Sequence, residues 1–264
     1  MPIPTGHGTA HVRIGYNNLA DPGQYTSTVS VSVAAATGFD QSFLGNWAPY
    51  NAWAPSAAGA QWVQYVFAGN QTADYFAVAN TNLSTNSGNV VLQYSTNSGG
   101  FWNTIATFTP ASNRAHWVSF ASQSANYWRI LATSTPASSI AVAAFGSVYQ
   151  PYFARDIGFT PPALGRKLLL YTSESDTGLM LGRSILRRSL SSSLTFDGMS
   201  TSDAYGEWLT FVKHAEAKPF FLQWSNESWP TDTALMMTDG MIPLPKFSSH
   251  ELVSSTLVMK GLSL

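Results

Sequence analysis

Hydrolysis and group transfer need a nucleophile with a base beside it, or two carboxylates in divided roles. The chain has 14 carboxylates, five histidines and no cysteine, and it lacks a Gly-x-Ser-x-Gly elbow. Residues 1–150 hold only Asp21, Asp40 and Asp74, each in a separate loop segment, and the remaining carboxylates sit in Ser/Thr/Gly contexts that read as turns and caps. No catalytic set follows from these spacings, and no enzyme is expected. His7 and His11 are four apart, a metal-binding spacing on a helix, but Gly6 and Gly8 bracket His7 and make the segment read as extended. His116, His214 and His250 stand alone, so neither a metal nor a cofactor is expected.

The residue types do favour stacking and amide hydrogen bonding. Pyranose rings stack on aromatic faces while Asn and Gln amides bond their hydroxyls, which makes Trp47, Tyr50, Trp53, Asn97, Phe101 and Trp102 candidate glycan contacts. The same rings are also read as packing the ends of a core or as meeting another subunit. The basic cluster Arg183, Arg187 and Arg188 places 183 and 187 on one side of a strand. It is read equally as a subunit contact or as a solvated, aggregation-guarded edge. Phe220 and Trp224 join it as candidate oligomer contacts.

These residues must be carried by strands. Thr28 to Val33 alternates with period two, the mark of a half-buried strand. Residues 37–60 lose periodicity and read as a long ordered loop. Strands follow at Trp62–Phe67 and Tyr75–Ala79, then a hairpin of Val90–Tyr94 and Trp102–Phe108 around the turn 95–100, then strands at Trp117–Phe120, Tyr127–Leu131 and Ile140–Val148. Alternation assigns Trp62 and Trp117 to the interior. About eight short strands without helical periodicity imply an antiparallel β-sandwich or jelly roll over residues 1–150. Residues 151–264 read as a second β-rich body, a sandwich or barrel with one helix. Ser200 is its N-cap, and Ala204, Trp208, Phe211, Val212 and Ala215 form one apolar stripe, giving a helix over about 202–215 that Pro219 ends. Strands are expected at Lys167–Tyr171, Leu190–Phe196, Phe220–Trp224, Leu235–Thr238 and Leu252–Met259.

Charge marks the division: residues 1–150 carry six of the chain's 27 charges, and the boundary is placed near Gln150-Pro151. A net charge of −1 and the absence of any long apolar stretch argue against a nucleic-acid partner or membrane insertion. The N-terminus lacks the basic start and apolar run of a secretory signal, so synthesis in a cytoplasm is expected.

On Asn18-Leu19-Ala20, Trp53, Trp62-Val-Gln-Tyr65, Leu92-Gln-Tyr-Ser-Thr-Asn-Ser-Gly-Gly-Phe-Trp102, Tyr127-Trp-Arg-Ile130 and the closing strand to Tyr149, residues 17–150 resemble the discoidin, or F5/8 type C, jelly rolls. That resemblance implies loops at one end that bind glycans or lipid headgroups, with Ca²⁺ in some members. The C-terminal segment resembles bacteriophage tail-tube-like and distal tail proteins on Gly178-Leu-Met-Leu-Gly-Arg183, Phe196-Asp-Gly-Met199, Trp208-Leu-Thr-Phe211, Ala217-Lys-Pro-Phe-Phe-Leu222 and Gly261-Leu262. It implies a ring, six subunits before three, that touches neighbouring tail-tube and baseplate proteins. Together these resemblances imply a structural virion protein of a long-tailed phage tail tip or baseplate, made in the host cytoplasm and displaying the jelly roll outward. The alternative is a host-surface glycan-binding adhesin module.

Overall fold

A computed structural model describes residues 12–151, 159–226, 228–240, 242, 245–249 and 251–262. His7, His11 and His250 lie outside the described residues. The strands form two sheets and pair antiparallel throughout. In chain order β1 is Arg13–Gly15, β2 Thr28–Val31, β3 Gly59–Thr81, β4 Asn89–Ser95, β5 Asn103–Phe108, β6 His116–Ser134 and β7 Ile140–Gly146. After them come β8 (Arg166–Glu174), β9 (Met180–Ser200), β10 (Phe220–Gln223), β11 (Thr233–Thr238), β12 (Lys246–Phe247) and β13 (Leu252–Leu262).

β2 to β7 form a jelly-roll sandwich whose two layers share their longest strands. The first part of β3, up to Val66, pairs with β2 and with Tyr127–Ser134 of β6, which in turn pairs with β4, and β4 with β5. The second part of β3 pairs with His116–Ala125 of β6 and with β7. The register shifts between Val66 and Gln71, where Phe67-Ala-Gly-Asn70 turn the strand pair from one layer into the other. Two expected strands, Trp62–Phe67 and Tyr75–Ala79, are therefore one bent strand; the Ala-Gly-Asn interruption is a corner and not a loop. Tyr65 and Trp128 of one layer meet Phe145 of the other, with ring centroids 5.7 and 5.6 Å apart, at the centre of the core. β2 is paired on one side only, so Val29 stays 41% exposed where alternation predicts burial. Trp62 is a second departure. It points outward, because its neighbour Val63 takes the core position.

The second sheet runs β1-β10-β11-β13-β9-β8, with β12 added on β13. One helical segment, 201–215, lies on it: an α-turn, a π-type turn over Ala204–Trp208, and an α-helix from Leu209 to Ala215. Ser200 Oγ accepts from Asp203 N at 3.1 Å, as an N-cap does, and Ala204, Trp208, Phe211 and Ala215 bury the apolar stripe against Phe196, Phe220 and Leu257.

β1 belongs to this second sheet. The expected division at 150 groups Arg13–Gly15 with the sandwich, but their partners are Phe221–Gln223 of β10. Alternation shows that a segment is a strand and says nothing of its partner, which here is more than 200 residues away. The chain then enters the sandwich beyond β1 and leaves it at Tyr149, and these two crossing points are tied: Ile14 N donates to Tyr149 O at 2.8 Å and Tyr149 N to Ile14 O at 2.9 Å. A third apolar cluster joins the bodies. Trp47, Tyr75, Trp117 and Val142 from the sandwich side pack with Phe221 and Leu235 from the outer face of the second sheet.

Candidate functional site

The tip of the β4–β5 hairpin is built on a buried hydroxyl. Ser95 Oγ accepts the N–H groups of Asn97 and Gly99, each at 3.2 Å, and Gly100 N donates to Asn97 O at 2.7 Å. Ser98 and Gly99 take left-handed backbone, φ 44° and 80°, a conformation for which Gly99 has no Cβ penalty. This turn carries Phe101 and Trp102 back over the neighbouring strand. The Arg129 guanidinium lies 4.2 Å from the Trp102 ring centroid, in cation–π range.

Arg129 lies in a polar row that crosses the whole outer layer. Register aligns Ser30, Gln64, Arg129, Gln93 and Thr104 on β2, β3, β6, β4 and β5. Alternation turns all five away from the core, whose positions are taken by Val63, Ile130 and Leu92. Arg129 Nε donates to Gln93 Oε1 at 2.6 Å, and Gln93 Nε2 donates to Thr104 Oγ1 at 2.8 Å. These bonds fix the guanidinium plane over Trp102. Among the described residues no carboxylate pairs with Arg129. Partial burial draws its pKa below the ordinary guanidinium value, yet an arginine keeps its charge at any physiological pH. The face thus offers a fixed cation with spare donors, and the hairpin tip next to it carries Phe101, which is 66% exposed. Such a surface can stack the apolar side of a sugar and donate to its hydroxyls or to a carboxylate.

Of the six residues singled out as glycan contacts, the fold brings Asn97, Phe101 and Trp102 together. It places the other three at the opposite end of β4, because the loop 32–58 leads into Gly59 beside Ser134 while the hairpin tip lies beside Tyr127. Tyr50 is fully in solvent there, 85% exposed. Trp47 and Trp53 are buried and cannot touch a ligand. Trp53 pairs through its backbone with Ile140, and Trp47 packs against His214 and Phe221 with its indole N–H on Asp21 at 3.0 Å. Gln64, Gln93 and Tyr127 are members of the site that sequence reading missed. Their only local signal is that they stand at outward positions of strands rich in core residues.

The candidate oligomer contacts divide similarly. Phe220 is fully buried, since β10 is an interior strand between β1 and β11. Arg183 and Arg188 are exposed on the β8–β9 hairpin; the Arg187 side chain lies outside the described residues, though its backbone pairs with Leu169. Trp224 donates from Nε1 to Asp232 at 2.6 Å and lines a cavity of about 690 Å³ together with Trp229, Arg114 and Arg166.

Two carboxylates on the helix, Asp203 and Glu207, have pKa values raised by burial. Asp203 accepts the Tyr149 hydroxyl at 3.2 Å, so the pair meets the core where the chain leaves the sandwich. Among the described residues no three His, Cys, Asp or Glu side chains gather as a metal site would require.

No protein-family model matches the chain, and no curated protein does. Solved structures do. Chitosan-binding module 1 of a chitosanase/glucanase from Paenibacillus sp. IK-5 is 25% identical, matches 50% of this chain and 99% of the module, and gives a TM-score of 0.41. Module 2 of the same enzyme, in complex with chitotriose, is 17% identical over 47% of this chain and 98% of its own, with a TM-score of 0.40. A Clostridium perfringens module, CpGH89CBM32-5, in complex with GalNAc-β-1,3-galactose, is 13% identical over 46% of this chain and 95% of its own, with a TM-score of 0.39. None of these three is a tail protein, and they lend no support to the expected ring or tail position.

Proposed function

We propose that this protein binds a polysaccharide, such as one on a host surface, through the outer layer of its sandwich at the β4–β5 end, and does no chemistry on it. The arrangement of Arg129 carries the reading: a guanidinium fixed on Trp102 and Gln93, with no carboxylate partner among the described residues, near a hairpin tip that carries the exposed Phe101. A charge held in place without such a partner suits a ligand hydroxyl or carboxylate, and its fixed geometry reduces the ordering cost of binding. Glycan-array screening followed by calorimetry tests this. Arg129→Ala and Phe101→Ala are expected to weaken binding of the best glycan by about tenfold or more, roughly 1.4 kcal/mol, with unchanged circular dichroism. Binding that survives both substitutions, or no glycan bound at all, would refute the assignment.

A second reading is favoured by a different observation. The β8–β9 hairpin exposes much apolar surface, which suits a structural subunit of a phage tail tip or baseplate, assembled as a ring of six, or of three, that carries the sandwiches outward in the virion. Size-exclusion light scattering of the purified chain tests it, and a monomer at every concentration would exclude it.

A further inference from the structure

β13 covers β9 only from Ser189 to Ser200. Beyond Ser189, the remainder of β9 pairs, among the described residues, with β8 alone, from Leu168↔Arg188 to Glu174↔Met180, so this part of the hairpin leaves the sheet as a two-stranded ribbon. Nine large apolar side chains on it are 37–67% exposed, and because Leu168, Leu169 and Leu170 are consecutive, both faces of the ribbon are bare. An isolated two-stranded hairpin is marginal in water, and bare apolar area of this extent marks a surface that meets a partner.

A matching surface exists on the same chain. The outer side of the helix and the β12 strand enclose a groove of about 490 Å³, lined by Tyr205, Leu209, Val212, Phe247 and Val253. Tyr205 and Phe247 are 70% and 63% exposed. The charges are opposite in sign. Ribbon residues 168–188 contain Arg183, Arg187 and Arg188 against Glu174 and Asp176, while Glu216 lines the groove and, with Asp203, Glu207 and Glu251 in the adjoining chain, outnumbers Lys213 and Lys246.

The ribbon does not reach its own groove. The groove lies where β12 pairs with Val253 and Ser254, at the Ser200 end of β9, whereas the ribbon departs from the Ser189 end and runs away from it. From Ser200 to Met180 the strand extends roughly 65 Å at about 3.3 Å per residue. We propose that the ribbon of one subunit docks in the helix–β12 groove of the next copy, a head-to-tail contact that closes into a ring if the rotation permits. The proposal rests on the assembly reading above and adds to it which two surfaces meet.

The chain has no cysteine, so a disulfide trap starts from a clean background. Leu186→Cys and Leu209→Cys are made as separate single variants of the full chain, mixed, and oxidised. Head-to-tail docking is expected to give a mixed disulfide dimer as the main product, and the double variant a ladder of higher species. Light scattering is run alongside on the wild type and on Leu169→Asp/Leu186→Asp. Both substituted positions are exposed, so the fold is retained, and the oligomer mass is expected to fall to that of the monomer. An oligomer that keeps its mass with the two aspartates would leave assembly standing and overturn ribbon docking. Dominant 186–186 disulfides would mean ribbon pairs with ribbon and would overturn the groove assignment. A wild-type monomer at all concentrations would overturn both.

Discussion

Replacing Asp21 by alanine should destabilise the whole fold by about 3 kcal/mol, and the structure shows where that comes from. Asp21 is 2% exposed and lies at the junction of the two bodies. Its carboxylate accepts from Trp47 Nε1 at 3.0 Å, Gly23 N at 2.8 Å and Lys218 Nζ at 2.5 Å. Without it, the buried Trp47 N–H has no acceptor, which costs about 1–3 kcal/mol, and the Gly23 N–H loses a bond worth roughly 0.5–1 kcal/mol. The Lys218 side chain is 35% exposed and can rehydrate, so its share is below about 1 kcal/mol. The assay is urea unfolding followed by circular dichroism and tryptophan fluorescence. A cycle with Trp47→Phe, which removes the donor, should return a coupling of about 1–2 kcal/mol. Because Trp47, Phe221 and Leu235 share one cluster, the two probes should also report one transition. A loss below about 0.5 kcal/mol, additivity in the cycle, or two separated transitions would refute the view that this junction is a single core.

Three further outcomes follow from other contacts. His214 is held neutral, with Nε2 2.7 Å from the Pro219 carbonyl oxygen and Nδ1 2.9 Å from Gln24 Nε2, and burial lowers its pKa. The unfolded chain therefore takes up the proton first, so this contribution is complete above about pH 6.5 and is lost as pH falls below it. Asp203 and Glu207, raised by burial, act in the opposite sense, with stability lost as pH rises through their values, so the His214 part is read as the difference in melting temperature between wild type and His214→Gln across that window; equal slopes would contradict it. Gly15→Ala would bring a Cβ within 2.5 Å of Trp117 and 2.7 Å of Tyr75, and should cost about 1–3 kcal/mol in chemical unfolding. Trp53→Ala, at a fully packed position, should cost about 3–5 kcal/mol and lower the melting temperature sharply, whereas Phe101→Ala should leave the melt unchanged.

The parts of this fold that were legible in sequence are those fixed by near neighbours. The helix could be placed because Ser200, the stripe from Ala204 to Ala215, and Pro219 all lie within one short window. The β4–β5 hairpin could be placed because Ser95 to Gly100 carries its turn chemistry locally. What escaped depends on distant partners. Nothing near Trp47 foretells that it packs on Phe221 and His214, so a tryptophan in an aperiodic stretch read as a possible ligand platform. The Leu168-Leu-Leu170 run reads as a strand from its residues alone, and only the pairing pattern shows that β13 stops short of covering it. Arg129 stands out in the sequence as a charge within the Tyr127–Ile130 strand, but its neighbours Gln64 and Gln93 cannot be joined to it without the register.

The tie between Ile14 and Tyr149 has an evolutionary corollary. With entry and exit hydrogen-bonded to each other, sandwich loops away from this doorway can lengthen or shorten while the attachment to β1 and β10 keeps its hydrogen bonds.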